Sequence, residues 1–172
     1  MTTSGGFGQL QKGHGIAFGD IDNDGDQDIY SVVGGALEAD HYPNQLFANP
    51  GHGNHWLKLM LEGVKTNRVA IGARVKVVTR ENGAERAIHR VVGSGASFGS
   101  STFRQEIGLG QATEIVRVEI FWPVTGVTQV FTGLALDHTY HLVEGQAAAE
   151  PVTLKTFVLP TAPLPGGHHH HH

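Results

Sequence analysis

Five aspartates stand at alternate positions between Gly19 and Tyr30, at Asp20, Asp22, Asp24, Asp26 and Asp28, with Gly25 between the third and the fourth. Unit charges about 4 Å apart repel by only ~1 kcal/mol in water but several-fold more near a protein surface, so a run this dense calls for a cation. Calcium takes about six to eight hard oxygens, and a short loop can supply them only by turning sharply, which a glycine at the sixth position permits. In this reading Asp20, Asp22 and Asp24 give side-chain oxygens, Asp26 a backbone carbonyl, and Asp28, at the ninth position, closes the site. The twelfth position is Ser31, inside an apolar run, where an EF-hand would have a bidentate glutamate, so the loop is not an EF-hand. Magnesium, which keeps several waters, is the weaker fit. The competing reading is a solvated acidic turn or an acidic strand face; aspartate is depleted in strands, and four carboxylates in register with a glycine favour calcium.

The elements that must position this loop have a period of two. Leu57, Leu59 and Leu61 alternate with Lys58; Ala73, Val75 and Val77 alternate with Arg74 and Lys76. Asn82-Gly83, between two such runs, is a strong two-residue turn signal and predicts a hairpin over Ile71 to Val92. Val116, Val118, Ile120 and Trp122 alternate with Arg117 and Glu119 up to Pro123. Two further strands follow, with a turn around Gly133 to Asp137 between them, giving six or seven strands between Asn54 and Gly145. Helical periodicity is scarce, and 24 glycines suit tight turns. The expected fold is all-β, a sandwich or partly closed barrel preceded by one hairpin that carries the acidic loop. Val152 to Leu159 reads as a late strand, able to join a sheet edge of its own molecule or of a neighbour.

Composition narrows the function. Five of the 16 acids lie in the acidic segment, leaving 11 against 12 Lys and Arg, so no basic face points to nucleic acid or an anionic membrane. No apolar run approaches the roughly 20 residues of a membrane span, and no secretory signal is recognisable at the start. Cysteine is absent, which removes disulfides, thiolate metal sites and a cysteine nucleophile.

The stretch Gly15–Gly35, with its D-x-D-x-D-G-x-x-D core, resembles an FG-GAP repeat, the β-propeller blade unit of integrin α chains. That resemblance implies calcium held by Asp20, Asp22, Asp24 and Asp28, with Asp26 in the carbonyl position. Downstream, "NHWLKL", "NRVAIGARV", "EIGLG", a tryptophan-proline strand end and "HLVEG" resemble the ASPIC/UnbV domain of the cartilage acidic protein family and its bacterial relatives. Together the two cover about Gly13 to Gly145. The expected organisation is residues 1–12 as a disordered or cloning-derived start, 13–53 as an FG-GAP-like blade hairpin, and 54–145 as an ASPIC/UnbV-like sandwich. Residues 146–167 follow as linker, extra strand and tail, and 168–172 as a histidine tag. The resemblance further implies an extracellular, periplasmic or cell-surface location and an adhesion-like or matrix role. Since propellers close with about four to eight blades, one blade alone implies upstream blades or packing of the hairpin on the sandwich.

Several other motifs attract attention. Gly95 to Gly99 matches G-x-S-x-G, with His138 and Asp137 downstream, but the strand-turn-helix context of a nucleophile elbow is missing, so a hydrolase using Ser97 is the lesser alternative. The same segment is one residue off a dinucleotide-binding glycine pattern. His41, His52 and His55 lack a metal-ligand spacing, and His138 and His141 fall on opposite strand faces. Trp56 and Trp122 read as core or near-core aromatics, a carbohydrate-stacking role requiring one to be exposed. The expectation is therefore a calcium-stabilised, non-catalytic binding or scaffolding module in which the ion fixes the angle between hairpin and sandwich. The alternative is a self-association module that uses residues 152–159 as donor strand.

Overall fold

A computed structural model describes residues 12–35, 42–95 and 98–159. Ser97 and His41 lie outside the described residues, as do residues 1–11 and the histidine tag. Eleven strands and no helix occur among the described residues. They run β1 Gly13–Gly19, β2 Asp28–Val33, β3 Gln45–Phe47, β4 His55–Glu62, β5 Arg74–Glu81, β6 Ala84–Val91, β7 Gln105–Gly110, β8 Glu114–Phe121, β9 Thr128–Phe131, β10 His138–Val143 and β11 Ala149–Val152.

Three sheets result: β1-β2-β3, β11-β10-β4-β7 and β6-β5-β8-β9, with no closed barrel. The two four-stranded sheets share a core. Leu57, Leu59, Ile107, Leu109 and Leu142 come from one, and Val75, Val77, Val118 and Ile120 from the other, with Trp122 buried at the end of β8. Each such side chain contributes roughly 1.5–3 kcal/mol by leaving water. The period-two pattern therefore reports the inner faces correctly. The predicted hairpin is β5–β6, its turn set by Asn82 (φ 51°) and Gly83 (φ 78°), both left-handed as a type I′ turn requires. In β8 the alternation is interrupted: Val78 pairs with Arg117 and Thr79 with Ile115, so Val116 bulges and Ile115 takes its place toward the core.

Two features were not expected from pattern. Strand β10 pairs parallel with β4, from His138↔Leu57 to Val143↔Glu62. The late strand is β11, which lies earlier than Val152–Leu159. It pairs with β10 of its own chain and carries Pro151 on the sheet's edge, where a missing N–H is tolerated. Residues 153–159 instead run irregularly back to the acidic loop, where Phe157 N–H donates to the Asp22 carbonyl (3.1 Å) and Asn23 Nδ2 to the Lys155 carbonyl (3.1 Å).

The small sheet β1-β2-β3 has apolar side chains on both faces. Phe18 and Ile29 lie opposite one another on one side, Tyr30 and Leu46 on the other, and Ile16, Phe18, Tyr30, Val32 and Leu46 are all exposed. The glycine-serine segment is docked on this sheet: a Cβ on Gly15 would overlap the Phe98 carbonyl, and one on Gly99 the Ile16 carbonyl. Those glycines let two backbones touch. The segment then continues into strand β7, not into the helix that a nucleophile elbow needs.

At the far end of the sandwich the Glu144 carboxylate accepts three consecutive backbone N–H groups, of Val64 (2.8 Å), Lys65 (2.7 Å) and Thr66 (2.8 Å). The hydroxyls of Thr66 and Thr125 add two more bonds, each 3.1 Å. Burial pushes its pKa up, but these donors outweigh that and hold it at about 2, against an ordinary 4.5. A depressed carboxylate stabilises the fold above its unfolded value and loses that contribution as pH falls through the folded one. Glu144→Gln is expected to cost about 2–3 kcal/mol at pH 7. In denaturant titrations the gap to the parent protein should narrow as pH falls from 4.5 toward 2; a gap that is constant with pH would contradict this role.

Candidate metal centre

The acidic loop joins β1 to β2, with Gly19↔Asp28 as the last pair of the ladder. Asp20 and Asp28 are therefore held where the two strands part, and both are buried, at 3% exposure each. Between them the chain turns on its own side chains. Gly25 N–H donates to Asp20 Oδ2 (2.7 Å), Asp26 N–H to Asp24 Oδ1 (2.9 Å) and Asp24 N–H to Asp22 Oδ1 (3.4 Å). Asp28 is fixed from both sides, Oδ2 accepting from Ile21 N–H (3.0 Å) and Oδ1 from Asn49 N–H (2.9 Å). Asn23 and Gly25 both have positive φ, 62° and 108°. These local bonds are what Asp and Asn side chains offer in turns, and they explain why the segment is a loop and not a strand face.

Of the five aspartates, the fold gathers Asp20, Asp22 and Asp28, each offering one carboxylate oxygen within 4.8 Å of the others. Asp24 and Asp26 are not in that cluster: the Asp24 side chain is exposed and spent on Asp26 N–H, and Asp26 leans toward Gly51. The Asp22 carboxyl is raised above its ordinary value chiefly by burial, with repulsion from Asp24, Asp28 and Asp20 adding to it and the hydrogen bond from Asp24 N–H opposing it. Asp26 is raised by burial and by Asp24 and Asp20, with His52 pulling the other way. Such shifts mean that burying these carboxylates, and secondarily crowding their charge, opposes folding at neutral pH, and that a cation would relieve it. Within the cluster Asp20 Oδ1 is buried with no hydrogen-bond partner, a strong acceptor left open. The donor set is all hard oxygen, suited to calcium and unsuited to softer transition metals.

The loop is seated on the outer faces of β4 and β7. Lys58, expected only to face away from the leucines, is itself buried at 1% exposure. Its ammonium touches Asp20 Oδ2 and sits 4.5 Å over the Trp56 ring, though aligned for no hydrogen bond, so the contact is ionic and not directional. Glu106, the residue opposite Lys58 on β7, accepts from Asp20 N–H (3.0 Å) and Gln27 Nε2 (3.0 Å) through Oε2. Arg104 holds Glu106 Oε1 (2.9 Å from Nε) and reaches the Asp20 carbonyl (3.0 Å) and Asn23 Oδ1 (3.1 Å). Lys58, Arg104 and Glu106 were not singled out from the sequence. A lysine or glutamate in an alternating strand reads as solvent-facing, and only the covering hairpin makes it otherwise.

The remaining candidates find ordinary roles. His55 Nδ1 bonds Asp137 Oδ2 (2.7 Å), whose other oxygen accepts Trp56 N–H (3.0 Å), a strand-edge clamp. His138 bonds the Leu136 carbonyl, while His141, on the opposite face, sits between Glu62 and Glu150. Trp122 is fully buried and donates to Gln129 Oε1 (3.0 Å). Trp56 is half-buried, with its indole against Gly25 and Lys58.

The model of the family described as ASPIC and UnbV matches residues 63–149. That is half of the chain, and it takes in β5 to β10. The chain belongs to the ASPIC and UnbV family. No curated protein matches it. The matched residues supply Arg104 and Glu106 to the junction, while the acidic loop and Lys58 lie before the match begins.

Gly25 answers to two constraints, a φ that L-residues rarely adopt and the Trp56 indole where a Cβ would go. Gly83, also left-handed, faces open space. Gly83→Ala is expected to cost about 1 kcal/mol and Gly25→Ala at least about 2 kcal/mol. Thermal melts of the two variants side by side test this, and equal costs would remove Trp56 from the account.

Proposed function

We propose that this ASPIC and UnbV chain is a calcium-binding, non-catalytic extracellular module for binding or scaffolding, with β1–β3 acting as an FG-GAP-like blade. The observation that carries the reading is the convergence of Asp20, Asp22 and Asp28, one of whose carboxylates, that of Asp20, has a buried oxygen with no partner. Asp20, Asp22 and Asp28 would hold the ion, with Asp24 and the Asp26 backbone carbonyl completing the shell as the D-x-D-x-D-G-x-x-D spacing implies. Bound calcium supplies charge neutralisation. The chain's own residues do the rest: Gly25 turns the loop, Asn49 and Ile21 orient Asp28, and Glu106 and Arg104 anchor the loop to the sandwich.

The blade reading is supported by apolar side chains on both faces of the small sheet, as expected of a unit that stacks between neighbours. The exported location is suggested by the same resemblance. Extracellular calcium modules have Kd values of roughly 0.1–1 mM, and a site of that affinity would fill outside a cell and empty inside it.

A ligand bound only by the folded loop stabilises it by about 2.7 kcal/mol at a hundredfold excess over Kd. Melting of the tag-free protein in EGTA, then along a calcium titration with a magnesium control, should show a saturable rise specific to calcium. The Asp20→Ala/Asp24→Ala variant should lack that rise. No shift in the parent protein would remove the support for calcium.

A further inference from the structure

Lys58 is placed where a lysine is hard to place. Its neighbours across the sheet are Glu106 on β7 and Thr139 on β10, and the acidic loop closes over its head. A lysine ammonium is compact and strongly hydrated, and burying one is unfavourable unless a charge partner compensates. Glu106 is occupied by Arg104, Gln27 and the Asp20 backbone, so the compensating group is the Asp20 carboxylate. That same carboxylate belongs to the three-aspartate cluster, and its second oxygen is the one left without a partner. One carboxylate thus faces a protein cation through Oδ2, belongs to the aspartate cluster, and keeps Oδ1 without a hydrogen-bond partner.

We propose that Lys58 is a resident counter-cation of the acidic loop, holding Asp20 when no metal is bound and lowering the loop's affinity for a dication. The inference rests on the calcium reading above and adds a sign to it. The ammonium stabilises the metal-free loop, and it opposes the metal-bound one, because a dication and an ammonium on the same carboxylate repel through a medium of low dielectric. Calcium binding is thereby weakened, and the hairpin stays docked when calcium leaves.

The test is Lys58→Met, which keeps the stem over Trp56 and removes the charge, studied as tag-free protein beside the parent. Calcium chloride is titrated into each by calorimetry, and each is melted in EGTA. The expected result is at least tenfold tighter calcium binding by Lys58→Met, together with a lower melting temperature in EGTA, so that the variant gains more than the parent from saturating calcium. A parent that binds calcium beside a variant that binds it equally or more weakly overturns the role of Lys58 and leaves the calcium reading standing. A parent that takes up no calcium overturns both. If Lys58→Met does not fold in either condition, Lys58→Gln, which keeps a polar head for Asp20, is titrated under the same criteria.

Discussion

The outer face of β4 is covered by a hairpin that carries five carboxylates, and the ionic contact between Lys58 and Asp20 is what makes that burial tolerable. Taking two charges out of water costs several kcal/mol per ion, so neither residue would be stable there alone. Together they fix where the loop sits, because Lys58 lies in the strand flanked by β7 and β10 and has no freedom to follow a displaced partner. Leu57 and Leu59 on the inner face hold that strand in the core. The position of the acidic loop is therefore inherited from the sandwich, through one strand that is buried on both sides at Lys58.

Other contacts narrow the placement from different directions. Arg104 and Glu106 grip the backbone of Asp20, the Gly15 and Gly99 backbones touch, and Phe157 N–H caps Asp22. All are protein groups. The angle between hairpin and sandwich thus has a basis in the protein's own groups.

What was legible in the sequence followed from local rules. Period-two alternation found the core faces of β4, β5 and β8, and Asn82-Gly83 found the hairpin, because both depend on a few neighbouring residues. The spacing of the aspartates found the loop, though three of the five converge in the fold. Non-local pairing was not legible. The parallel β4–β10 ladder joins residues 81 positions apart, and nothing in "HTYHLVEG" says which strand it will lie beside. The bulge at Val116 moved Ile115 to the core, where strict alternation would have put Val116. The burial of Lys58 was hidden for the same reason: a charged residue on a strand looks solvated until the element that covers it is known.

The small sheet shows why the junction matters. Three strands, one of them three residues long, with apolar side chains exposed on both faces, fall near the lower limit of what stands alone in water. Its order has to be borrowed. The sandwich lends it through Lys58, Glu106 and Arg104, all acting on the acidic loop and none on the strands themselves. Whatever changes the charge state of that loop therefore acts at a principal tether of the sheet, alongside the backbone contact of Gly15 and Ile16 with Phe98 and Gly99.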